Sequence, residues 1–414
     1  MKRKVEILAP AGNFSCLHAA IQAQADGIYF GVEHLNMRSR STNNFTIEDL
    51  KTISQLCKKH NIGSAVTLNT ILYDEDIEKA KQICKEIKNH SIHAIIASDF
   101  GLIQYAHSLG LNVHISTQAN VCNVEAVKFF AKYATTIVLS RELTLQQITF
   151  ICNAIKKEKI YGSTGELIKI EIFIHGALCV AISGKCYMSL AQYNKSANRG
   201  ACLQVCRRKY RVIEEETQKA LIIDNDYIMS PKDLCTISVL NHIIKSGVSV
   251  LKIEGRARSA EYVHTVVTTY KEAIRSIEEK SYTKDKIDHW IHTLHTVFNR
   301  GFWHGGYYLG KELDQWSKSY GSKSTKKKTY VGKITNYFSK SKVAEVLIQS
   351  HQLKVGDEIL IIGNTTGVVH TKITNLRAEK NTTIAKQKDL ISFPLHEKIR
   401  KNDKLYVLEC RELS

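Results

Sequence analysis

Residues 168–176, IKIEIFIHG, form a short apolar run that precedes a cysteine-rich segment. Six similar runs come before it: VEILAP at 5–10, GIYFG at 27–31, IGSAVTLN at 62–69, HAIIAS at 93–98, LNVHIST at 111–117 and TIVLS at 136–140. Helix-length segments separate the runs, and an eighth run, VSVLKIEG at 248–255, precedes a long helical segment. Eight strand–helix repeats predict a (β/α)8 barrel rather than an open doubly wound sheet, which usually has fewer strands.

One insertion interrupts the repeat, at residues 176–247 between the seventh and eighth runs. Loops that follow the carboxyl ends of barrel strands build the active face, so the insertion is expected over the barrel mouth. Four of the eleven cysteines lie in its first part, at positions 179, 186, 202 and 206, and Cys235 follows. The sequence therefore predicts that this insertion takes part in a functional site.

The spacing of these five cysteines leaves more than one kind of site open. Structural zinc sites usually have two closely spaced pairs, and only Cys202 and Cys206 come near that pattern. A [4Fe–4S] cluster takes four cysteine ligands, which would leave one thiol spare. A thiol peptidase would need a base such as His175, and neither an HExxH nor a GxSxG motif is present. The other six cysteines fall mostly on apolar faces and are expected in the core: Cys16, Cys57, Cys84, Cys122, Cys152 and Cys410.

The basic excess of the chain favours a polyanionic partner such as RNA. Lys and Arg number 58 against 40 Asp and Glu, which gives a formal charge of +18 and a pI near 9.3. A predicted basic linker at 311–329 holds the densest run of lysines, interleaved with aromatic residues. Its members are predicted to bind RNA phosphates and are Lys318, Lys323, Lys326, Lys327 and Lys328.

The composition changes on either side of this linker. Residues 1–310 carry the strand–helix repeats, whereas residues 330–414 carry short strand-like runs with turn signals and predict a small all-β barrel domain. Neither a signal peptide nor an apolar stretch of about 20 residues is found, so a cytoplasmic protein without a membrane partner is expected. No pattern indicates an oligomeric state.

Polar side chains at strand ends are candidates for catalysis or substrate binding. Gln118, Glu254 and Arg256 offer an amide, a carboxylate and a guanidinium where a small polar substrate would bind. Asn69 and His175 occupy similar positions. The alternative is structural, because an Asn or Asp at a strand end is more often a helix N-cap than a catalyst.

Several motifs together resemble the collagenase-like peptidase family. They are ILAPAGNF at 7–14, ADGIYFG at 25–31, the cysteine pattern at 171–189, NRGACLQVCRRKY at 198–210, SPKDLC at 230–235 and LKIEGRARSAEYV at 251–263. The family includes bacterial RNA hydroxylation proteins, and the chain is most similar to the branch that acts on tRNA. For that branch the resemblance implies hydroxylation of the wobble uridine to 5-hydroxyuridine, with an iron–sulfur cluster and with prephenate as co-substrate.

The resemblance also implies roles for particular residues. Carried over, the cluster ligands are Cys179, Cys186, Cys202 and Cys235, with Cys206 as the uncertain fifth cysteine. Prephenate is a dianion, and guanidinium groups suit its carboxylates; those on segments expected near the mouth are Arg199, Arg207, Arg208 and Arg256. Three alternatives remain open, namely a metal- or thiol-dependent peptidase, hydroxylation of another RNA such as rRNA, and a non-catalytic RNA-binding accessory protein.

Overall fold

Eight parallel strands close into a barrel in the computed structural model, which describes residues 5–39, 44–211, 213–218, 230–303, 317 and 321–411. In chain order these strands are β1 (Glu6–Pro10), β2 (Gly27–Gly31), β3 (Gly63–Leu68), β4 (Ala94–Ala97), β5 (Asn112–Ile115), β6 (Thr136–Val138), β7 (Lys169–Gly176) and β9 (Val250–Ile253). Neighbours in this order pair in parallel, and β9 pairs with both β7 and β1. The predicted (β/α)8 barrel is therefore confirmed.

Helices cover the outside of the barrel. They are α1 (Phe14–Gln22), α2 (Asp49–Lys59), α3 (Asp74–Asn89), α4 (Phe100–Ser108), α5 (Val124–Ala131), α6 (Leu145–Lys157), α8 (Leu240–Lys245), α9 (Ala260–Glu278) and α10 (Lys284–His295). Asn13 and Asp99 cap α1 and α4 by accepting hydrogen bonds from Cys16 N and Leu102 N, both at 2.9 Å. Both residues follow the carboxyl end of a strand and act as helix N-caps.

The insertion adds short elements above the carboxyl ends of the strands. These are α7 (Met188–Tyr193), 3-10 turns at Ile182–Gly184, Ala197–Arg199 and Val205–Arg207, and a strand β8 (Asp233–Cys235). β8 runs antiparallel to the end of β7, pairing Leu234 with Gly176 and Cys235 with His175. A two-residue strand, β10 (Phe302–Trp303), pairs in parallel with β8. The chain therefore leaves the barrel at β7 and returns to the same strand.

The carboxyl-terminal part is antiparallel and all-β, as predicted. Its strands are β11 (Lys326–Phe338), β12 (Val343–Ile348), β13 (Leu353–Lys354), β14 (Glu358–Gly363), β15 (Gly367–Lys372), β16 (Leu376–Arg377), β17 (Asn381–Thr382), β18 (Ile384–Ala385), β19 (Leu390–Pro394) and β20 (Lys404–Cys410). Eight of them form one sheet in the order β15-β14-β20-β11-β12-β19-β16-β17, and β13 pairs with β18. This sheet has its own hydrophobic core, separate from that of the barrel.

The β-sheet domain packs against helices α1 and α9 of the barrel. The side chain of Gln22 on α1 donates to Thr366 O and accepts from Val368 N, both at 2.9 Å. Lys328 Nζ lies 2.7 Å from Glu261 Oε1 on α9. These contacts hold the sheet against helices on the outside of the barrel. No helix in the described parts of the chain is both long and apolar enough to cross a bilayer.

Two expectations about core cysteines are wrong. Cys16, Cys57, Cys84 and Cys152 are buried, but Cys122 and Cys410 are exposed. Cys122 lies in the loop before α5, and Cys410 is the last residue of β20, so neither belongs to the packed face of its element. Both thiols are distant in sequence from the insertion, and neither lines the cavity described next.

Candidate active site

A cavity of about 130 Å³ lies at the carboxyl ends of the barrel strands, beneath the insertion. Strands β2 to β7 and β9, or the residues directly after them, each contribute a side chain to its wall. A larger cavity of about 290 Å³ lies at the amino-terminal ends of the same strands and contains no cysteine. Barrel enzymes place their chemistry at the carboxyl face, so the smaller cavity is the candidate active site.

Four thiols line this cavity: Cys179, Cys186, Cys202 and Cys206. All four belong to residues 177–211, which we call the cysteine lid. Burial raises the pKa of the Cys206 thiol to about 11; Arg207 opposes that rise, and the nearby thiols of Cys179, Cys202 and Cys186 add to it. Because all four line one cavity, the lid brings these thiols to the same side of the barrel mouth. Among the described residues, however, no three His, Cys, Asp or Glu side chains are already positioned to hold a metal ion.

Cys235 does not line the cavity, in contrast to the ligand set that the resemblance implies. It is buried on β8, where the Tyr270 hydroxyl lies 4.0 Å from its sulfur. Burial raises the pKa of its thiol to about 11. The antiparallel pairing of β8 with β7 sets this position, because it packs Cys235 against α9. The structure thus groups Cys206, rather than Cys235, with the other three cysteines.

Hydrogen bonds within the lid fix the loop between the second and third cysteines. Cys186 N donates to Asn198 Oδ1 at 3.1 Å, and Leu203 N donates to Ser189 Oγ at 3.0 Å. Gly200 turns the chain with φ +83°, and a Cβ added there would lie 2.2 Å from Ser39 Oγ. Only glycine allows both this conformation and this close approach.

Alanine at position 200 is expected to loosen the lid. The left-handed φ costs about 1–2 kcal/mol for a residue with a Cβ, and the contact with Ser39 adds to that cost. Limited trypsin digestion should therefore cut Gly200→Ala at the lid lysines and arginines faster than the wild type. Gly165→Ala is the matched control, since Gly165 has φ +81° with nothing within 4 Å of an added Cβ. Equal lid cleavage in both variants would contradict the prediction.

Glu254 lies at the end of β9 among three guanidinium groups. Arg38 Nη2 is 3.1 Å from Glu254 Oε1, and the Tyr29 hydroxyl is 3.3 Å from Oε2. Burial would raise the pKa of Glu254, but the charges of Arg38, Arg141 and Arg256 lower it below its usual value. Glu254 is therefore ionised in the folded protein and is suited to orienting charge rather than to donating a proton.

Arg256 is buried beside Glu254 and holds the strand ends together. Its Nη1 donates to Asn36 Oδ1 at 2.9 Å and to Thr67 Oγ1 at 2.7 Å. Burial lowers the pKa of its guanidinium to about 10, which keeps it charged at neutral pH. Gly31 makes room for it, since a Cβ added there would lie 2.7 Å from Arg256 Nη1.

An ion pair lies inside the barrel below the cavity. Lys252 Nζ is 2.6 Å from Glu171 Oε1, and both side chains are buried. Glu171 Oε2 and His114 Nδ1 are 3.7 Å apart, and neither has a hydrogen-bond partner. Burial would raise the pKa of Glu171, but Lys252 and His114 lower it to about 2.

Two amides form the opposite wall of the cavity. Asn69 Nδ2 donates to Gln118 Oε1 at 2.9 Å and to Ser116 Oγ at 3.1 Å. Asn69 Oδ1 accepts from Met37 N at 3.3 Å. Gln118 thus faces the cavity with its amide nitrogen close to Gly184 of the lid. Both residues are placed as the sequence predicted, at strand ends that converge.

The sequence profile of peptidase family U32 matches residues 12–318. The chain belongs to peptidase family U32. A Porphyromonas gingivalis protein named collagenase is 49% identical over 408 residues, which are 98% of each chain. The tRNA hydroxylation protein P1 of Bacillus subtilis is 31% identical over 415 residues, 96% of this chain and 93% of the relative. The 23S rRNA 5-hydroxycytidine C2501 synthase of Escherichia coli is 34% identical over 278 residues, 67% of this chain and 40% of the relative.

Three arginines that the sequence assigned to substrate binding do not line the cavity of this U32 protein. Arg199 pairs with Asp76 and stacks 4.1 Å from the Tyr73 ring. Arg207 is partly buried, with its Nη1 2.7 Å from Pro231 O. Arg208 lies on the surface against Tyr193. The sequence shows that these arginines are near the cysteines along the chain. It does not show the contacts that hold their side chains outside the cavity.

Arg38 and Arg141 line the U32 cavity instead, together with Arg256 and Lys252. Arg141 follows β6, and its guanidinium stacks 3.9 Å from the Phe173 ring. Its Nε is buried without a hydrogen-bond partner. Arg38 comes from the loop after β2, a segment with no motif of its own. Arg141 was detectable as a strand-end residue, whereas no signal in the sequence pointed to Arg38.

His175 does not reach the U32 cavity either. A register shift in β7 between Phe173 and His175 interrupts the alternation of faces, so that Phe173 lines the cavity while His175 packs against α9. Tyr270 Oη is 3.4 Å from His175 Nδ1, and burial lowers the pKa of the imidazole to about 3. The ring is therefore neutral and enclosed, which suits a core residue.

The lysines of the predicted linker are divided among several environments. β11 begins at Lys326, so Lys326, Lys327 and Lys328 belong to a strand rather than to a flexible arm. Lys326 Nζ lies 2.6 Å from Glu358 Oε2, and Lys328 pairs with Glu261. Lys327 is exposed, Lys323 N donates to Asn299 O at 2.7 Å, and Lys318 lies outside the described residues.

Proposed function

We propose that this U32 protein hydroxylates uridine in tRNA, with a [4Fe–4S] cluster bound by the cysteine lid and with prephenate as co-substrate. The observation that carries the proposal is the grouping of four thiols with four cationic side chains around one cavity. Relatives named for RNA hydroxylation support the reaction class. The match spans 93% of the tRNA-acting relative but 40% of the rRNA-acting one, which favours tRNA.

The donor set of the lid fits a thiolate-bound cluster. Cys179, Cys186, Cys202 and Cys206 supply the four sulfur ligands that such a cluster needs. Arg38 and Arg207 lie close enough to these cysteines to influence them electrostatically, and positive charge there favours thiolates. The sulfur atoms are not preassembled, so the lid would have to tighten around the cluster. When bound, a cluster of this kind supplies electron transfer.

The amide wall suits recognition of a nucleobase. Asn69 holds Gln118 by donating to its Oε1, so the amide nitrogen of Gln118 is the group left to donate to a carbonyl oxygen on the Watson–Crick edge of a uracil turned out of a single-stranded loop. The apolar part of the same wall comes from Ile96, Val138 and Phe173. A base that enters here would lie between the amides and the lid, shielded from water.

The positive charge of the cavity suits a dianionic co-substrate. Arg38, Arg141, Arg256 and Lys252 face it, against the single carboxylate of Glu254. Arg38 and Lys252 are each paired with a carboxylate, and Arg256 makes two hydrogen bonds. Arg141 Nη1 donates to Ala177 O at 3.3 Å, but its Nε has no partner, so Arg141 is the guanidinium best able to bind a further carboxylate. Prephenate offers two carboxylates for these cationic groups.

Removal of the Arg141 charge is expected to weaken use of prephenate. A hydrogen bond to a charged group is worth about 1.5–3 kcal/mol, so Arg141→Gln should raise the KM for prephenate about 10- to 100-fold with a smaller change in kcat. Purified protein would be assayed for tRNA hydroxylation over a series of prephenate concentrations. Arg275→Gln, at an exposed arginine on α9, is the control. An unchanged KM would remove Arg141 from the co-substrate site.

A peptidase is the second candidate, because the collagenase-named relative has the higher identity over the full length. Among the described residues that line the cavity, none is a histidine, and the one carboxylate is paired with Arg38. His175 and Cys235 both approach Tyr270, but they are enclosed, and their pKa shifts, to about 3 and about 11, favour the neutral forms. A thiolate nucleophile beside a base is therefore not found in this part of the structure.

One experiment separates the two candidates. The chain would be expressed in a bacterial strain that lacks its own tRNA hydroxylation genes, and tRNA nucleosides would be measured by mass spectrometry. The proposal expects 5-hydroxyuridine or its derivatives to return. The purified protein would be incubated with gelatin in parallel. Gelatin cleavage without restored hydroxylation would overturn the proposal in favour of the peptidase.

A further inference from the structure

The cysteine lid has an unusual charge balance. Residues 177–211 contain seven basic residues, Lys185, Lys195, Arg199, Arg207, Arg208, Lys209 and Arg211, and no acidic residue. The chain as a whole has 58 basic and 40 acidic residues, so the lid is far more one-sided than the rest. Such a one-sided surface is what a polyanionic partner requires.

Five of these seven side chains are exposed. Arg199 and Arg207 are engaged with Asp76 and with backbone carbonyl groups, as described above. The exposed ones are Lys185, Lys195, Arg208, Lys209 and Arg211. Two carboxylates from outside the lid contact it. Asp76 pairs with Arg199, and Glu142 accepts a hydrogen bond from Ser183 N at 3.0 Å. Three exposed carboxylates, Glu214 to Glu216, follow directly and mark one edge of the basic surface.

Aromatic rings stand on the same surface. Tyr187 is 72% exposed and Tyr193 is 45% exposed. The guanidinium of Arg208 lies 4.9 Å from the Tyr193 ring and covers one of its faces. Base stacking on aromatic rings and guanidinium planes is a usual mode of binding single-stranded nucleic acid. Tyr187 is adjacent to Cys186, so this surface borders the cavity.

We propose that the outer face of the cysteine lid is the docking surface for single-stranded RNA. The exposed lysines and arginines contact phosphates, and Tyr187 and Tyr193 stack on bases that flank the one entering the cavity. This inference rests on the proposed function, since it places the RNA partner on the element that carries the thiols. It places the main RNA contact on the lid and not on the lysine run predicted from the sequence, in which Lys326 and Lys328 are paired with Glu358 and Glu261.

The charge part of the inference is tested by binding of a fluorescein-labelled oligouridine of about 12 nucleotides, within the usual site size. Lys185→Glu combined with Lys195→Glu is expected to weaken binding at least tenfold. The slope of log Kd against log salt should fall by about 1.4, since each lost contact to a single strand removes about 0.7. Lys333→Glu combined with Lys354→Glu makes the same charge change at exposed positions of the β-sheet domain and should leave binding nearly unchanged.

The stacking part is tested with alanine at the two tyrosines. Tyr187→Ala and Tyr193→Ala are each expected to weaken binding about tenfold, and Tyr→Phe should restore it, because stacking needs the ring and not the hydroxyl. Tyr161→Ala is the control, since Tyr161 is 53% exposed at the amino-terminal end of β7, away from the lid. Each variant is compared only if its melting temperature matches the wild type.

The outcomes distinguish this inference from the proposed function. If the wild type restores tRNA hydroxylation while the lid variants bind oligouridine normally, the docking surface is overturned and the function stands. Loss of binding only in the Lys333/Lys354 variant would move the surface to the β-sheet domain and also overturn it. Stronger binding to anionic vesicles or to an acidic peptide than to oligouridine would overturn RNA as the partner. Oligouridine binding through the lid without any restored hydroxylation would count against the function alone.

Discussion

Serine in place of Cys206 is expected to abolish hydroxylation as completely as serine in place of Cys202, whereas Cys235→Ser is expected to retain it. Cys206 lines the cavity with the other three lid thiols, whereas Cys235, the last residue of β8, is buried against α9. Loss of one of four ligands leaves a cluster incompletely held. The readouts are 5-hydroxyuridine in tRNA and, independently of activity, iron and sulfide per chain after anaerobic purification.

Cys410→Ser serves as the control for these variants, because Cys410 is an exposed thiol on β20 far from the lid in sequence. It should match the wild type in iron content and in modified tRNA. If Cys235→Ser loses iron while Cys206→Ser keeps it, the ligand set implied by the family resemblance would be right and the grouping in the cavity would not reflect the loaded state. Iron lost from neither variant would count against a four-cysteine site that includes either residue.

Glu171→Gln is expected to destabilise the barrel by about 3–5 kcal/mol, because it leaves the buried Lys252 ammonium without its counter-charge. The two groups are 2.6 Å apart, and Glu171 has no exposed surface. Chemical denaturation at neutral pH measures the loss. Adding Lys252→Met to Glu171→Gln should recover much of it, since the uncompensated charge is then removed. Glu125→Gln breaks an exposed pair with Lys128 and should cost less than about 1 kcal/mol.

The effect of Glu171 also depends on pH in a definite direction. Its pKa is about 2 in the folded protein, below the value of about 4.3 for an unfolded chain. The carboxylate therefore stabilises the fold fully above about pH 4.3, and this contribution is lost as the pH falls towards 2. The difference in unfolding free energy between wild type and Glu171→Gln should narrow over that range. If the difference in unfolding free energy between wild type and Glu171→Gln stayed constant down to pH 2, it would contradict a stabilising role for the ionised carboxylate.

The sequence predicted the barrel because its signal is local and repeated. Each apolar run except the seventh is followed directly by a helical segment, and the closure of β9 onto β1 follows from eight strands in this repeat. The convergence of Asn69, Gln118, Glu254 and Arg256 was predictable for the same reason, since strand ends of a closed barrel meet at one face. These features depend on spacing along the chain and not on particular contacts.

The placements that the sequence did not anticipate arise where a single contact or a backbone irregularity decides where a side chain lies. The register shift in β7 moves His175 out of the barrel, and strict alternation cannot anticipate it. The pairing of β8 with β7 places Cys235 outside the cavity, although the SPKDLC motif in which it lies resembles one that contains a cluster ligand. Arg199 was assigned to the substrate because of its charge, but its partner Asp76 lies more than a hundred positions away in the chain. Sequence spacing carries no information about such distant partners.

The insertion begins and ends beside β7. Changes within the insertion can therefore be distinguished from changes in the barrel strands. Gly176 and Leu234 pair across the base of the insertion, so the intervening residues form a loop with closed ends, and its length and content can vary without shifting any of the eight barrel strands. Function can therefore diverge in the loop while the scaffold is inherited unchanged. The loop is therefore the segment to exchange between this chain and its relatives named for collagenase and for RNA hydroxylation.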